Sequence, residues 1–281
     1  MKKARSITNI DMLRLRCTGG DIMLEYLLEF REYCFADGKV IANKFETFKC
    51  KDEVKKVNAD VYMNGLDYPI AELAIERNHY THLRINNRYF YEKKGLFEGT
   101  IFGLLECLFL SLDAIERVDV CVDSNVSLLA RTRKMIKNTS QFDMLINGNK
   151  VKEDEACLLL VSQLSRRKIL GNGAVVKKNT SGLELKLYDK LSEIKEQSDK
   201  QYILQHNQMT GEKVVHRLEV VITEKYINSH YDNVEDFLRL CCCGQRPQLI
   251  RELSNRIIRF NSKKASRLRM ADTISLLDLI Y

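Results

Sequence analysis

No apolar run in this sequence reaches the roughly 18 residues that a membrane-spanning helix needs. The richest stretch, residues 101–112, is shorter and is interrupted by Glu106. Residues 1–16 lack the apolar core of a secretory signal. We therefore expect a cytoplasmic protein with no membrane partner.

Several motifs of nucleotide-binding and hydrolytic enzymes are also missing. The GNG at 171–173 is not followed by Gly-Lys-Ser/Thr, and the chain has neither a GxGxxG fingerprint nor a G-x-S-x-G elbow. These absences argue against an ATP-driven helicase, a dinucleotide-dependent enzyme and a hydrolase of the nucleophile-elbow kind.

Cysteine is plentiful, with nine residues, but it lacks the spacing of a metal site or a disulfide framework. No CxxC pair occurs, and Cys241, Cys242 and Cys243 are consecutive. Consecutive thiols do not suit tetrahedral zinc, and the histidines are scattered. We interpret the cysteines as reduced thiols of a cytosolic protein.

Proline is scarce, with two residues, so few sharp breaks divide the chain. The 281 residues are 45% hydrophobic and 30% charged, as in a soluble globular protein of one large domain or two ordinary ones. Alternating and helical periodicities predict an α+β fold: a mostly antiparallel sheet with helices packed on it, and a basic helical C-terminal region. We place the domain boundary between residues 1–232 and 233–281.

Three local predictions bear on this fold. The periodicity predicts a helix over residues 21–33, a strand that continues through residues 81–91, and a helix over residues 247–260.

The net charge of +7 is concentrated in the second part of the chain. Residues 1–160 hold 24 Lys+Arg and 24 Asp+Glu, whereas residues 161–281 hold 21 against 14. Such a cluster is typical of a polyanion contact, and we predict DNA. The basic residues of the densest stretch are Arg246, Arg251, Arg256, Arg259, Lys263, Lys264, Arg267 and Arg269.

Three short strings have the pattern of strands with one polar face: ERVDVCVD at 116–123, LELKLYDK at 183–190 and HRLEV at 216–220. Residues two apart in a strand point the same way, so each string gathers its polar side chains on one side. The gathered residues are Asp119 and Asp123; Glu184, Lys186, Tyr188 and Lys190; and Arg217 and Glu219. If the three strands are neighbours, one sheet surface carries carboxylates, a tyrosine and cations suited to metal-assisted attack on a phosphodiester.

Each of these residues also has a purely structural interpretation. Tyr188 could simply end a strand, and Asp123 could cap the following helix. Arg217 and Glu219 could form a cross-strand ion pair without chemistry. Asp119 lies among apolar residues, where an unpaired carboxylate is costly, so it requires a metal or a cation.

The ordered set of strings resembles the replication initiation factor family. The matching features are R-x-D-x-x-x-D at 117–123, a glycine-containing hairpin near 171–182, Tyr-Asp-Lys at 188–190 and Arg-x-Glu at 217–219. That family comprises rolling-circle plasmid initiators of the Rep_trans type, replication proteins of some filamentous phages, and related conjugative relaxases.

The resemblance implies a DNA nickase and strand transferase that starts rolling-circle replication. It implies that Tyr188 attacks the DNA backbone, that Lys190 and Arg217 support the phosphate, and that Asp119, Asp123 and Glu219 bind Mg²⁺ or Mn²⁺. Hard carboxylates suit these cations, which polarise the phosphodiester for in-line displacement. A tyrosine nucleophile preserves the bond energy in a covalent link for later rejoining. The implied partners are a hairpin origin with a single-stranded nick site, a host helicase and a second copy of the chain.

Two alternatives remain open from the sequence. Tyr226 and Tyr231 are spaced five apart and are rival nucleophiles, because some rolling-circle initiators use paired tyrosines. The other is a non-catalytic DNA-binding regulator of a phage or plasmid, which an ion-paired, metal-free cluster would favour. The chain also departs from the histidine class of initiators, since it has no pair of histidines flanking one apolar residue.

Overall fold

The computed structural model describes residues 4–47, 54–92, 97–151, 175–178, 181–196, 198, 200–241, 244–263 and 273–280. Its fold is α+β, with a mostly antiparallel sheet and helices packed on it, which confirms the predicted fold class. No helix within these ranges is long and apolar enough to cross a membrane.

The strands of the described chain are β1 (Ser6–Thr18), β2 (Glu32–Phe35), β3 (Gly38–Thr47), β4 (Val54–Met63), β5 (Ala71–Glu76), β6 (Thr81–Ile85), β7 (Ser111–Ser124), β8 (Phe142–Ile146), β9 (Asn149–Lys150), β10 (Val175–Lys178), β11 (Leu183–Asp189), β12 (His216–Thr223), β13 (Ile258–Ser262) and β14 (Thr273–Ile274).

The α-helices are α1 (Asp21–Phe30), α2 (Asn87–Glu92), α3 (Phe97–Cys107), α4 (Leu128–Lys137), α5 (Lys190–Glu196), α6 (Gln201–His206), α7 (Glu224–His230), α8 (Val234–Leu240) and α9 (Arg246–Ile257). A 3-10 turn follows at Leu276–Leu279.

The chain forms two compact units. The 10–118 unit consists of Ile10–Val118 and Thr223–Cys242, and the 119–222 unit consists of Met1–Asn9, Asp119–Ile222 and Cys243–Tyr281. The predicted boundary between residues 232 and 233 stays a prediction.

In the 10–118 unit the strands follow the order β7–β1–β6–β5–β4–β3–β2. Each pair of neighbours in this order, from β1 through β6, β5, β4 and β3 to β2, is antiparallel. Leu83 of the central strand β6 lies opposite Leu15 of β1 and opposite Leu73 of β5. Alternation buries one face of this sheet, as Leu13, Leu15 and Cys17 of β1 show. The unit therefore has a core on one side of its sheet and charged residues on the other.

The 119–222 unit contains the order β10–β11–β12–β7 and a second sheet in the order β14–β13–β8–β9. The antiparallel pair β11–β12 has Leu185 opposite Val220 and Leu187 opposite Leu218. All four side chains are buried. Burial of this face leaves the alternate, polar residues of β11 and β12 together on the other face.

The structure differs from the three local predictions at element ends. Helix α1 ends at Phe30 because Arg31 adopts a left-handed conformation, with φ 59°, and the chain returns as β2. Helix α9 ends at Ile257, and residues 258–262 form β13, whose alternation buries Ile258 and Phe260. Residues 87–91, predicted as strand, belong to α2.

Candidate active site on the sheet of the 119–222 unit

The three polar strands are neighbours in the order β11–β12–β7. In the β11–β12 register, Lys186 stands opposite Glu219 and Tyr188 stands opposite Arg217. Cross-strand partners on one face approach closely enough for their side chains to interact. The sheet therefore brings the polar side chains of both strands onto one surface.

One group on this surface is fully closed, and we call it the buried clamp: Asp123, Arg217 and Asn207. The Nε and NH2 atoms of Arg217 donate to the two carboxylate oxygens of Asp123, each at 2.7 Å. The side-chain amide of Asn207 donates to Asp123 Oδ2 at 2.8 Å. Both charged side chains are 0% exposed. Bidentate geometry and a third donor are what a buried ion pair requires.

The second group, which we call the tyrosine cluster, consists of Lys186, Tyr188 and Glu219. The Lys186 ammonium donates to Glu219 Oε1 at 2.7 Å, and the Tyr188 hydroxyl donates to Glu219 Oε2 at 3.0 Å. The Glu219 side chain is 5% exposed, whereas that of Lys186 is 25% exposed. The cluster therefore joins a buried carboxylate to a cation that reaches solvent.

Lys186 lies in a strongly acidic environment. Burial lowers the pKa of its ammonium, but the charge and hydrogen bond of Glu219 raise it, as do the charges of Asp119 and Glu184. The net result is a raised pKa. Opposite charges nearby favour the charged form, so Lys186 is a cation at neutral pH.

Asp119 is 2% exposed. Its charge raises the pKa of Lys186, so the Lys186 ammonium is a cation near the Asp119 carboxylate, as the burial of that carboxylate requires.

Lys190 is the first residue of α5, and its ammonium is buried against Glu193, with Nζ 2.5 Å from Oε2. The ammonium lies 5.8 Å from the centroid of the Tyr188 ring. The Lys190 cation is thus beside the aromatic ring and already faces a carboxylate.

Two of the three carboxylates that the resemblance assigns to a metal, Asp123 and Glu219, are engaged by protein donors in this arrangement. Both oxygens of Asp123 accept hydrogen bonds from the buried clamp, and both oxygens of Glu219 accept hydrogen bonds in the tyrosine cluster. Across the described residues, no group of three or more His, Cys, Asp or Glu side chains is placed to hold a metal ion.

The rival tyrosines belong to the 10–118 unit. Tyr226 is buried, and its ring stacks on His230 with centroids 4.1 Å apart. Tyr231 packs against Phe237, with centroids 4.7 Å apart. Tyr226 is therefore buried, whereas Tyr188 and Tyr231 are partly exposed.

The basic residues predicted to bind DNA differ in exposure. Arg246 is buried and donates to the backbone oxygen of Thr8 at 3.0 Å. Arg251 pairs with Asp278 at 2.5 Å. Lys263 pairs with Asp143 at 3.2 Å.

Of the remaining basic residues, Arg256 is exposed and Arg259 is partly exposed. Lys264, Arg267 and Arg269 lie outside the described residues. Among the described members of the set, Arg251, Arg256 and Lys263 are therefore the ones with exposed positions, and Arg251 and Lys263 are paired with carboxylates.

A groove of about 590 Å³ lies on the sheet of the 10–118 unit. Its charges are largely paired across strands, as in Arg84 with Glu72 at 3.1 Å and His82 with Glu116 at 3.1 Å. Paired charges on the open side of an antiparallel sheet are ordinary, so the groove indicates no ligand class.

Two residues of the candidate site, Lys186 and Asn207, had no assigned role in the sequence-based predictions. Lys186 was visible on the polar face of β11, but its importance depends on the register that sets it opposite Glu219. Asn207 follows α6 and belongs to no strand, so strand alternation could not predict its contact with Asp123.

The comparisons with known proteins add no family to this geometry: no protein-family model matches the chain, and no curated protein matches it.

Proposed function

We propose that this protein is a DNA-nicking and strand-transfer enzyme that initiates rolling-circle replication or transfer of a plasmid, phage or conjugative element. The observation that carries the proposal is the tyrosine cluster. Tyr188 donates its hydroxyl hydrogen to Glu219, beside a partly exposed cation on the same carboxylate.

The proposed step is an in-line displacement at a phosphodiester. The Tyr188 oxygen bonds to phosphorus, and its proton passes to the Glu219 oxygen that already accepts it. The bond between phosphorus and the 3′ oxygen breaks, and that oxygen leaves with a proton from water. The product is a 5′-phosphotyrosyl link and a free 3′ hydroxyl, and the reverse reaction rejoins the strand. A hydrogen bond of 3.0 Å is within the reach that such proton transfer requires.

The predicted Mg²⁺ or Mn²⁺ has no assigned step, because Asp123 and Glu219 are engaged with protein donors. The metal requirement comes from the resemblance and stays a prediction, which the nicking assay tests by adding or chelating either ion.

The wider setting belongs to the same proposal. The enzyme would act in the cytoplasm on a hairpin origin and its single-stranded nick site, as a homodimer, with a host helicase. The described cysteines are free thiols, which is compatible with a reducing compartment. Arg256 and the basic stretch that follows it would contact phosphates, so affinity should fall as salt rises.

A second candidate is a non-catalytic DNA-binding regulator. The observation that favours it is the buried clamp, in which Asp123 and Arg217 satisfy each other and leave no oxygen of Asp123 for chemistry. A regulator would bind cognate DNA and form no covalent product.

The test is a nicking assay on supercoiled and single-stranded DNA from the element that encodes the protein. Wild type is compared with Tyr188→Phe, and with Tyr231→Phe as a matched tyrosine control, in Mg²⁺, Mn²⁺ or chelator. We expect nicking and a covalent protein–DNA adduct that Tyr188→Phe alone abolishes. DNA binding without any adduct would reject the nicking proposal and select the regulator.

A further inference from the structure

We propose that Lys186, rather than Arg217 or Lys190, is the cation that contacts the DNA phosphate beside Tyr188. The inference rests on the proposed function, because it assigns the phosphate-binding role within the same site.

The two cations assigned by the resemblance are poorly placed for this role. Arg217 is 0% exposed, and its guanidinium is bidentate to Asp123. A phosphate could reach it only by breaking a fully buried ion pair, which is strongly unfavourable. The Lys190 ammonium is likewise buried and paired, in this case with Glu193.

Lys186 meets the geometric requirements that these two cations fail. Its ammonium and the Tyr188 hydroxyl bind the two oxygens of one carboxylate, so both groups lie at the same point of the sheet surface. A quarter of the Lys186 side chain is exposed, whereas the side chains of Arg217 and Lys190 are buried. The ammonium has three donors, and a phosphate can take one that Glu219 does not use.

The carboxylates around Lys186 oppose a phosphate, since Glu219, Asp119 and Glu184 all act on this one ammonium. The contact therefore depends on direct pairing of a phosphate oxygen with the ammonium, which stabilises charge that develops on that oxygen as Tyr188 attacks. The cross-strand register of Lys186 and Glu219 holds the cation in place before DNA arrives.

The competing interpretation is that Lys186 only stabilises the sheet through its pair with Glu219. A structural lysine would affect unfolding but would leave phosphate contacts unchanged. The salt dependence of DNA binding separates the two, since each phosphate contact on single strands contributes a slope of about 0.7 in log affinity against log salt.

The experiment measures binding of a short single-stranded oligothymidylate over a series of salt concentrations, and adduct formation on the origin DNA. The variants are Lys186→Gln, Lys186→Arg and Lys186→Met. The matched control is Lys195→Gln, because Lys195 is exposed on α5 and its loss changes the net charge equally. A thermal unfolding curve for each variant shows that it is folded.

We expect Lys186→Gln and Lys186→Met to lower the salt slope by about 0.7 and adduct formation by on the order of 100-fold, while Lys186→Arg retains both. Lys195→Gln should match wild type. An unchanged slope in folded Lys186→Gln and Lys186→Met overturns the inference, as does a wild type that does not bind the oligonucleotide.

The outcomes for the two proposals are distinguishable. If wild type forms no adduct but its salt slope depends on Lys186, the nicking proposal fails and the phosphate contact stands. If the adduct forms normally in Lys186→Gln, the nicking proposal stands and the role of Lys186 is rejected.

Discussion

Arg217 and Glu219 lie two residues apart on β12, and each forms an ion pair with a residue of a neighbouring strand. The two ion pairs differ in their exposure to solvent. Arg217 is locked to Asp123 with both side chains fully buried, whereas Glu219 pairs with a lysine that is a quarter exposed. The first pair has no free oxygen and no exposed atom. The second joins a cation and a tyrosine hydroxyl to one carboxylate through partly buried hydrogen bonds. The same strand thus supplies one pair suited to stability and one suited to ligand exchange.

The difference arises from what surrounds each pair rather than from residue type. Asn207 completes the donors around Asp123, so both oxygens of that carboxylate accept hydrogen bonds from protein groups. The side-chain oxygen of Asn207 is itself buried without a hydrogen-bond partner among the described residues. In the tyrosine cluster, the second oxygen of Glu219 is satisfied by a hydroxyl that can leave it. Substitutions should therefore separate the two groups by the size of their effect on unfolding and on DNA chemistry.

The largest effect is expected for Arg217→Met. It leaves the Asp123 carboxylate buried with no cation, and breaking one partner of a buried ion pair costs about 3–5 kcal/mol. Urea unfolding, followed by circular dichroism, measures the loss. The matched control is the double variant Asp123→Leu with Arg217→Met, which removes both charges and should recover much of the stability. A loss below about 1 kcal/mol in Arg217→Met would show that water reaches this pair.

Asn207→Ala should have the next largest effect. It removes one hydrogen bond to a charged carboxylate, which is worth about 1.5–3 kcal/mol, and leaves the Arg217 pair intact. The same urea titration measures it. Adduct formation per folded molecule should stay at the wild-type level, because the Asn207 side chain donates to Asp123 and not to the tyrosine cluster. A selective loss of the adduct without a loss of stability would place Asn207 in the chemistry and contradict the division.

Tyr188→Phe should have a small effect on unfolding and a complete effect on the adduct. The variant loses one hydrogen bond to the Glu219 carboxylate. We expect a cost of about 1.5 kcal/mol, the low end of the range for charged acceptors, because this bond is only partly buried and Lys186 still neutralises the carboxylate. Unfolding midpoints and gel detection of the adduct are compared on one preparation. Retention of the adduct in Tyr188→Phe would assign the nucleophile to another residue.

The sequence could predict the fold class and the polar face of each strand, because period-two alternation is a local property. The strings at 183–190 and 216–220 show it directly, and β11 and β12 form there. It could not predict which charges pair. Asp123 and Arg217 are 94 residues apart in sequence, and they meet because β7 and β12 are neighbours in the sheet. Asn207 reaches the same carboxylate from the end of α6. For this reason the pairing of Asp123 with Arg217 could not be predicted, and the metal role of Asp123 stays a prediction.

Element ends were harder to predict for a related reason. The apolar spacing of residues 247–260 continues past Ile257, so the helical pattern alone gives no signal to stop. The chain switches from helix to strand because β13 pairs with β8, which lies more than 100 residues earlier in the sequence. Helical periodicity carries no information about such a distant partner.

The smallest predicted effect concerns His216, which precedes Arg217 and lies on the opposite face of β12. Its Nδ1 accepts the backbone N–H of Leu129 at 3.2 Å. Burial lowers the pKa of His216; the charge of Asp189 raises it and the charge of Arg133 lowers it further, and the net result is a lowered pKa. The unfolded chain therefore binds this proton more readily than the folded one. Stability is unaffected above the unfolded pKa of about 6.5 and falls as pH drops below it.

A pH comparison isolates this contribution from those of the two ion pairs. Between about pH 7.5 and about pH 5.5, wild type should lose up to about 1 kcal/mol more than His216→Asn. The asparagine amide oxygen can occupy the position of Nδ1 and accept from Leu129 without taking up a proton. Urea unfolding of both proteins at the two pH values measures the difference. Equal losses would mean that His216 has the same pKa in the folded and unfolded states. The apolar face of β12 would then accommodate a charged imidazole without a partner, whereas the charges on its polar face are paired.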